Sequence, residues 1–405
     1  MLRPRLRFGI FMAPYHSPRE SPTACFDRDR ELIQWLDELG YDEAWIGEHH
    51  SAGYEIISSP ELFIADLAAH TRRVRLGTGV VSLPYHHPFM VAERMNQLDH
   101  LTKGRVILGV GPGLLPSDAM MLGIDPREQR RMMGEALDVV LRLLRGEVVT
   151  EKTDWFELRD ARLHLTPYSR PHLEVAVAAS VTPSGPRTAG RYGLSMLSPA
   201  ATTQGGFNAL AYHWGMVEET AAEHGQSVAR DGWRLAGWCH VAETREQARR
   251  DLMFGLADFL HYFQQVVALP GIPETGTPEE CLDTMIDLGI AVVGTPDDLI
   301  AQIERLEEQT GGFGAFLSIS HDWANREATR RSYELIARRV MPRFQASNTF
   351  STRSMEWVQA NRMPFLGAAT QGVMEAIQKD AAERSGEPGP RRGLGPGADA
   401  SVSRS

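Results

Sequence analysis

Cysteine is scarce in this chain. Only Cys25, Cys239 and Cys281 occur among 405 residues, and no two of them form a C-x-x-C pair. This scarcity excludes a disulfide framework and a cysteine-rich metal site. Because free cysteines persist in reducing compartments, we expect the protein to be cytoplasmic.

Long apolar runs and clusters of basic residues are missing as well. The most apolar late window, residues 252–269, contains Asp258 and His261 and is too polar to span a membrane. The N-terminal apolar run is short and broken by Pro14, which predicts a first strand rather than a signal peptide. The net charge is −10 and the Lys and Arg residues are scattered. We therefore expect a small-molecule partner, with neither nucleic acid nor a membrane as a ligand.

What the chain does contain is an alternation of short β-rich apolar runs with longer stretches of helical period. The runs predicted as strands are residues 7–13, 43–47, 73–81, 105–110, 173–178, 194–197, 233–241 and 313–319. Eight strands with interleaved helices favour the α/β class and a (β/α)8 TIM barrel over an open doubly wound sheet.

Insertions and a tail interrupt this rhythm. The sequence predicts a hairpin at residues 148–166 and a single helix at residues 244–266. It predicts a Pro/Gly-rich loop at residues 267–294. The barrel is expected to occupy residues 1–345 and a C-terminal extension residues 346–405. Within the extension, residues 355–384 favour an Ala-rich helix, and residues 385–405 have the composition of disorder.

The second predicted strand ends in Glu48, His49 and His50. Active sites of such barrels lie at the C-terminal ends of the strands, so these side chains are candidates for catalysis. Adjacent strand residues point to opposite faces, and at most one of the two histidines is expected to point into the barrel mouth. On the residues alone, a histidine that is merely hydrogen-bonded in a polar strand-end layer explains the pattern equally well.

A second histidine pair, His86 and His87, follows the third strand and could join the first pair around a metal ion. A metal hydrolase on this fold also needs acids at the ends of later strands. The fourth, fifth and sixth strands instead end in "GVGPG", "AVAAS" and "SMLSP". We therefore expect no metal centre.

Two small-residue segments suggest the binding of a flat, phosphorylated molecule. The third strand contains "GTGVV", where Gly77 and Gly79 permit close approach to the backbone, although a β-bulge explains them equally well. The fifth strand is followed by "SVTPSGP", whose hydroxyls and helix N-terminus can cradle a phosphate. An ordinary capped connection is the alternative.

Several segments between residues 7 and 344 together resemble a known family. They are "RFGIFM", "YDEAWIGEHH", "VRLGTGVVSLPYHHPFMVAERMNQLDHLTKGRVILGVGPG", "AVAAS" and "VGTPDDLIAQIERL". As an ordered set they resemble the bacterial luciferase-like family of flavin-dependent monooxygenases. The closing "SISHDWANREATRRSYELIARRVMPRF" further resembles the limonene 1,2-monooxygenase-like branch of that family.

The resemblance implies roles for individual residues. His49 matches the catalytic histidine, and His50 matches its neighbour, which also affects function. The positions that it implies for flavin binding are Gly79, Val80, Asp118, Ser180, Thr182, Ser184 and Gly185. The Gly79–Val80 pair matches a non-proline cis peptide or bulge behind the isoalloxazine, and the hydroxyl-rich group matches the flavin phosphate site. Residues 264–290 fall where the family has a mobile lid.

The resemblance also implies the chemistry. We expect a two-component monooxygenase that receives reduced FMN or FAD from a separate NAD(P)H-dependent flavin reductase. With O2 it would oxygenate a small apolar substrate, a monoterpene alkene being our concrete hypothesis. A deazaflavin-dependent dehydrogenase on the same fold is the alternative, and a flavin-binding protein without its own chemistry is a third class. Family members suggest a homodimer.

Some residues depart from the family pattern or are ambiguous. Gly111 stands where the light-emitting enzyme has a reactive cysteine, and Pro112 where that enzyme has an arginine for the flavin phosphate. Light emission is therefore not expected, and the phosphate contacts should differ. The aromatic stretch containing Phe254, Phe259, Tyr262 and Phe263 fits a substrate wall, the core face of a helix or a dimer contact.

Overall fold

The structure is a computed structural model that describes residues 5–13, 16–266 and 272–386. The chain divides into two compact units, residues 1–346 and 347–405.

Twelve strands are present in the described residues. In chain order they are β1 (Arg7–Met12), β2 (Glu43–Ile46), β3 (Arg75–Thr78), β4 (Val81–Ser82), β5 (Val106–Gly111), β6 (Val149–Lys152), β7 (Glu157–Ala161), β8 (Glu174–Ala178), β9 (Ser195–Ser198), β10 (Trp233–Val241), β11 (Ala291–Gly294) and β12 (Ala315–Ile319).

The α-helices alternate with these strands in the first unit and make up the described part of the second. They are α1 (Pro22–Leu39), α2 (Pro60–His70), α3 (Pro88–Thr102), α4 (Pro116–Met121), α5 (Gln129–Leu144), α6 (Ser184–Tyr192), α7 (Gln204–Glu223), α8 (Arg245–Leu252), α9 (Leu256–Gln265), α10 (Pro278–Asp287), α11 (Pro296–Thr310), α12 (Arg326–Leu335), α13 (Met341–Gln345), α14 (Thr349–Ala360) and α15 (Arg362–Ser385).

Eight parallel strands close into a barrel, as the sequence predicted. Around the ring the order is β1, β2, β3, β5, β8, β9, β10 and β12, and β12 pairs back with β1. Each of these strands overlaps one of the eight predicted runs. Strand β11 adds alongside the C-terminal half of β10. The antiparallel β6–β7 hairpin confirms the insertion predicted at residues 148–166.

The third predicted strand is interrupted. The run at 73–81 was predicted as one strand, but β3 ends at Thr78 and the short β4 begins at Val81. Between them lies a cis peptide bond joining Gly79 and Val80. This confirms the irregular backbone that the family resemblance implied at these two residues.

The segment from 244 to 294 was predicted incorrectly in two places. The helix expected at 244–266 is two helices, α8 and α9, because Gly255 packs against the loop after β12, where a Cβ would overlap the carbonyl of Asp322. The loop expected at 267–294 contains α10 and β11. Helix α10 begins at a capping box formed by Thr277 and Glu280, with a proline in its first turn. Residues 267–271 of the predicted loop lie outside the described residues.

Apolar side chains form one layer inside the barrel and another between the strands and the surrounding helices. Trp45 on β2 belongs to the inner layer with Ile107 and Leu317, whereas its neighbours Ala44 and Ile46 belong to the outer layer. This alternation follows from the two-residue period of a strand. Residues that follow β2 are therefore placed at the rim of a filled barrel, where polar side chains can converge.

The second unit is helical where it is described. Helices α14 and α15 bring no side chain into a buried position. They confirm the helix predicted at residues 355–384, although the helical region begins earlier, at Thr349. Most of the segment predicted as disordered, residues 387–405, lies outside the described residues. In the described parts of the chain, no helix has both the length and the apolar character needed to cross a membrane.

Candidate active site

His49 lies just beyond the end of β2, between two carboxyl groups. Its Nδ1 is 3.1 Å from Oδ2 of Asp118, and its Nε2 is 3.5 Å from Oε2 of Glu55. The side chain of Asp118 is almost completely buried, and that of His49 is largely buried. The structure thus brings together two of the predicted site residues, His49 and Asp118, and adds an acid that sequence reasoning missed.

The two carboxyl groups change the charge state of the imidazole. Burial lowers the pKa of His49, but the charges of Glu55 and Asp118 and the hydrogen bond to Asp118 outweigh it, so the net shift is upward. Burial raises the pKa of Asp118, but hydrogen bonds from His49, Ser51 and the backbone N–H of His50 lower it overall. The pair therefore favours an imidazolium beside a carboxylate.

Asp118 is held in place from several sides. It lies on the short helix α4, which begins at Pro116. Its Oδ1 accepts a hydrogen bond from the backbone N–H of His50 at 3.2 Å and another from the hydroxyl of Ser51. Because Oδ1 is held by the backbone and by Ser51, the carboxylate can orient the imidazole through Oδ2.

His50 has a different partner. Oε1 of the buried Glu48 lies 2.9 Å from Nε2 of His50 and 2.7 Å from Nε2 of His86. The other oxygen, Oε2, accepts a hydrogen bond from the backbone N–H of Ser82 at 2.9 Å. The hydrogen bond to Glu48 is the main cause of the raised pKa of His50. His87 is exposed at the N-cap position of α3, where its side chain makes no capping hydrogen bond, and it does not join this group. The two neighbouring histidines thus serve separate networks, as the alternation of strand side chains suggested.

Glu48, His50 and His86 also have the spacing of a metal site, with one potential ligand atom each within 4.8 Å. Both imidazoles, however, approach the same carboxylate oxygen at ordinary hydrogen-bond distances. Hydrogen bonding accounts for this geometry without an ion.

The glycines of β5 pack closely against the segment 78–80. A Cβ on Gly111 would lie 2.7 Å from Cγ2 of Val80 and 3.7 Å from Cβ of Ala178. A Cβ on Gly109 would overlap the carbonyl oxygen of Thr78. The glycines of β5 are therefore required by close packing against the 78–80 segment, and a cysteine at position 111 would displace Val80. The same contacts connect the Gly79–Val80 peptide to the end of β8.

The hydroxyl-rich segment lies at that end of β8. Ser180, Thr182 and Ser184 are exposed, and the hydroxyls of Thr182 and Ser184 are 2.9 Å apart at the start of α6. Gly185 is buried against the strand end, where a Cβ would lie 2.6 Å from the carbonyl oxygen of Ala178. The first N–H groups of a helix have no partner within it. Together with the hydroxyls, they make this segment able to hold a phosphate.

Helix α9 places an aromatic surface at the same end of the barrel. The ring of Phe259 lies 4.7 Å from that of Phe263 and 5.1 Å from that of Trp323. Tyr262 lies against Tyr54, with 3.4 Å between the ring centroids, and its ring is also 4.9 Å from that of Phe263. Phe259, Tyr262 and Phe263 of the predicted aromatic wall thus form one continuous group.

Phe254 was also predicted in that wall, but it is exposed and lies before α9 begins. Trp323 was missed, because it follows β12 and is distant from α9 in the sequence. Its indole Nε1 is buried and has no hydrogen-bond partner among the described residues.

Glu55 was missed because the chain folds back after His50. Ala52 and Gly53 both adopt positive φ, at 67° and 74°, and this turn returns the chain past the end of β2, where the N–H of His49 donates to the carbonyl of Ile57. The acid six residues after His49 was the available signal, but the turn that brings it back was not recognisable from the "SAGY" segment.

Comparisons with known proteins identify the family of the chain. Residues 6–312 match the family model described as "Luciferase-like monooxygenase". Limonene 1,2-monooxygenase from Rhodococcus erythropolis is 51% identical over 93% of this chain and 96% of its own. The 4-hydroxyprotoasukamycin monooxygenase of Streptomyces nodosus subsp. asukaensis is 49% identical over 87% of this chain and 96% of its own.

A solved structure extends the comparison to a cofactor. The oxygenating constituent of 3,6-diketocamphane monooxygenase from Pseudomonas putida, a type II Baeyer-Villiger monooxygenase in complex with FMN, superposes with a TM-score of 0.70. It is 25% identical, and the alignment covers 83% of this chain and 98% of that one.

Proposed function

Because this chain belongs to the luciferase-like monooxygenase family, we propose that it uses reduced FMN and O2 to oxygenate a small apolar substrate, with epoxidation of a monoterpene alkene as the concrete reaction. That it is a flavin-type monooxygenase rather than a deazaflavin-dependent dehydrogenase follows from relatives that are about half identical to it. The monoterpene is proposed from the name of one of them. The observation that carries the proposed chemistry is His49 held between Asp118 and Glu55 at the barrel mouth.

The residues at the barrel mouth fit a flavin. The Gly79–Val80 peptide is only half-buried, and the flat ring of the flavin is proposed to lie against it. Exposed hydroxyls at Ser180, Thr182 and Ser184, with the N-terminus of α6, suit a terminal phosphate. A single phosphate site favours FMN, the flavin present in the solved relative. Gly185 keeps the helix close enough to the strand for this cradle to form.

When bound, reduced flavin supplies the electrons that activate O2. His49 is proposed to hold a proton where the O–O bond is broken. Because that cleavage leaves negative charge on the departing oxygen, a positioned proton donor accelerates it. Asp118 orients the imidazole through Nδ1, and the Glu48 network fixes the adjacent His50.

The aromatic surface of α9 and Trp323 is proposed as the wall against the substrate. Phe259 and Trp323 are buried, and a hydrocarbon ring in contact with them would exclude water from the site. The segment 264–290, which contains helix α10, is proposed as a lid over the site. This proposal is based on the family resemblance.

The partners are proposed from the relatives and from the surface of the chain. A separate NAD(P)H-dependent flavin reductase is suggested by the solved relative, which is described as an oxygenating constituent. A homodimer is suggested by the family resemblance, and exposed Leu62 on α2 with Leu101 on α3 offers apolar surface for it. A cytoplasmic location is supported by the three free cysteines.

Rapid mixing tests the central proposal. The protein is loaded without oxygen with reduced FMN, reduced FAD or reduced deazaflavin, and each complex is then mixed with O2 in a stopped-flow spectrometer, with and without limonene. We expect a transient absorbance distinct from reduced and oxidised flavin, obtained best with FMN, and an oxygenated limonene product. Oxidised flavin formed at the rate seen without protein, together with no product, would refute the proposal.

Variants in the same assay test the role of His49. For His49→Ala we expect product per reduced flavin to fall by about 100-fold, the lower range of a general-acid contribution. His87→Ala is the matched control, since His87 is exposed and outside both networks. Equal product yields from the two variants would show that His49 does not provide the proton.

A further inference from the structure

Glu55 is an acid that no part of the proposed function uses directly. Its Oε2 is buried and has no hydrogen-bond partner among the described residues. The atom faces Nε2 of His49 at 3.5 Å, which is longer than an ordinary hydrogen bond. Oε2 of Glu55 and Nε2 of His49 can therefore each form a hydrogen bond with a further polar atom.

The carboxyl group also borders the proposed flavin site. A Cβ built on Gly47 would lie 3.2 Å from Oε2 of Glu55 and 3.8 Å from the carbonyl oxygen of Gly79. The acid and the cis peptide therefore both lie beside Gly47. The Glu55 carboxyl thus faces both the histidine and the edge where the flavin is proposed to bind.

An unpaired buried carboxylate is costly in free energy unless an opposite charge lies nearby. Burial is the main cause of the raised pKa of Glu55, and the charges of His49 and His16 only partly oppose it. Burial lowers the pKa of His49, but the charge of Glu55 leads the opposing effects and the net shift is upward. Two ionisable groups that interact this closely titrate as a pair, so a proton that they retain belongs to the pair rather than to one residue.

Other charged groups surround the pair. Asp118 on α4 faces His49 and adds negative charge near Glu55. Glu48 after β2 also raises the pKa of His49, and the neighbouring His50 is electrostatically coupled to His49. His16, between β1 and α1, is paired with Asp29 at 2.7 Å and adds positive charge when protonated. Tyr262 on α9 also interacts with Glu55, and burial raises the pKa of this phenol far above the physiological range.

From this geometry we propose that Glu55 is a positioning residue that shares one proton with His49, so that the imidazole at the barrel mouth stays protonated at a pH where an unpaired histidine is neutral. The proton resides on Nε2 of His49 with Glu55 ionised, or on Oε2 of Glu55 with His49 neutral. Moving it breaks one N–H or O–H bond and forms the other, and the net charge of the pair does not change.

The proposal can be tested without flavin. The histidines are labelled with 13C at Cε1, the His49 signal is assigned by its loss in His49→Gln, and the titration of that signal is followed by NMR in the full chain. In Glu55→Gln we expect the pKa of His49 to fall by about one to three units, the effect of removing an opposite charge at this distance. Glu128→Gln, at an exposed acid before α5, is the matched control and should leave the titration unchanged.

A second variant separates charge from folding. Glu55→Asp keeps the carboxylate on a shorter side chain, and we expect a pKa of His49 between those of the wild type and Glu55→Gln. A titration midpoint that is the same in the wild type and in either Glu55 variant would overturn the proposal. A variant that fails to fold would be recognised by the loss of dispersion in its NMR spectrum. The titration of His49 in the other Glu55 variant would then test the proposal.

The consequence for turnover rests on the proposed function and is measured separately. Reduced FMN, O2 and limonene are supplied over a range of pH, and product and H2O2 are quantified. Because the pKa of His49 is lower in Glu55→Gln, the pH at which product gives way to H2O2 should shift downward by a similar one to three units. If the wild type makes only H2O2 at every pH, the proposed function fails while the NMR result still stands. An unshifted profile combined with a shifted NMR titration would overturn the link to oxygen transfer.

Discussion

Arg234 offers the sharpest test of what holds the barrel together. It lies at the N-terminal end of β10 with a fully buried side chain, opposite the site. Its Nε and Nη2 donate to the two oxygens of Glu43 at 2.9 and 3.0 Å, and its Nη1 donates to Glu174 at 2.6 Å. Glu43 is also fully buried. In Arg234→Met the carboxylate of Glu43 therefore keeps, among the described residues, Trp45 and the more distant Arg7 as partners.

The expected loss follows from the charge balance of this buried cluster. Breaking a buried ion pair by removing one partner costs about 3–5 kcal/mol, because the remaining charge is uncompensated. At about 2 °C per kcal/mol for a large domain, Tm should fall by roughly 6–10 °C at pH 7. Burial raises the pKa of Glu43, but Arg234 outweighs burial and holds that pKa below its usual value. Without Arg234 the folded-state pKa rises, so the loss should shrink as the pH is lowered and Glu43 becomes neutral.

Thermal unfolding followed by circular dichroism measures this loss, and two further variants identify its cause. Arg75→Met removes a partly exposed partner of Glu174 and should cost no more than about 1 kcal/mol. The double variant Arg234→Met with Glu43→Gln removes the unpaired charge and should recover most of the stability. If the double variant were no more stable than Arg234→Met alone, the buried charge would not be the cause and the reasoning would be refuted.

Two further predictions concern cofactor binding and the C-terminal extension. Gly185→Ala should weaken the binding of reduced FMN about tenfold, or ~1.4 kcal/mol, since the new Cβ would lie 2.6 Å from the carbonyl oxygen of Ala178. Gly215→Ala on α7, where a new Cβ meets open space, is the control, and equal affinities of the two variants in anaerobic titrations would refute the cradle. Truncation after Ala346 should leave flavin affinity and reductase-dependent turnover unchanged, because no side chain of α14 or α15 is buried. Slower turnover with unchanged affinity would instead make the extension a reductase-docking segment.

The sequence was informative where one local signal dominates. The barrel strands were predicted because apolar β-rich runs alternate with helical stretches, and His49 was identified because it directly follows such a run. The prediction of a loop at 267–294 was wrong because it followed the Pro and Gly content and did not recognise the capping box at Thr277 and Glu280.

The missing parts of the site depend on contacts between distant or folded-back residues. Glu55 approaches His49 only because Ala52 and Gly53 adopt positive φ, and an alanine gives no sequence signal for that conformation. Trp323 meets Phe259 from a different part of the chain, so no local pattern could pair them. The glycines of β5 could be assigned to close packing only once their neighbours were known.

The distribution of the site around the ring has a consequence for engineering. Its acids and histidines come from the loops after β2, β3 and β5, whereas the aromatic surface comes from α9 and the loop after β12. Substitutions at Phe259 or Phe263 can therefore reshape the space for the hydrocarbon without touching a proton-carrying side chain. The exception is the stack of Tyr54 on Tyr262, because Tyr54 directly precedes Glu55. A library that retains those two tyrosines and varies the remaining aromatic positions should change substrate scope while preserving oxygen activation.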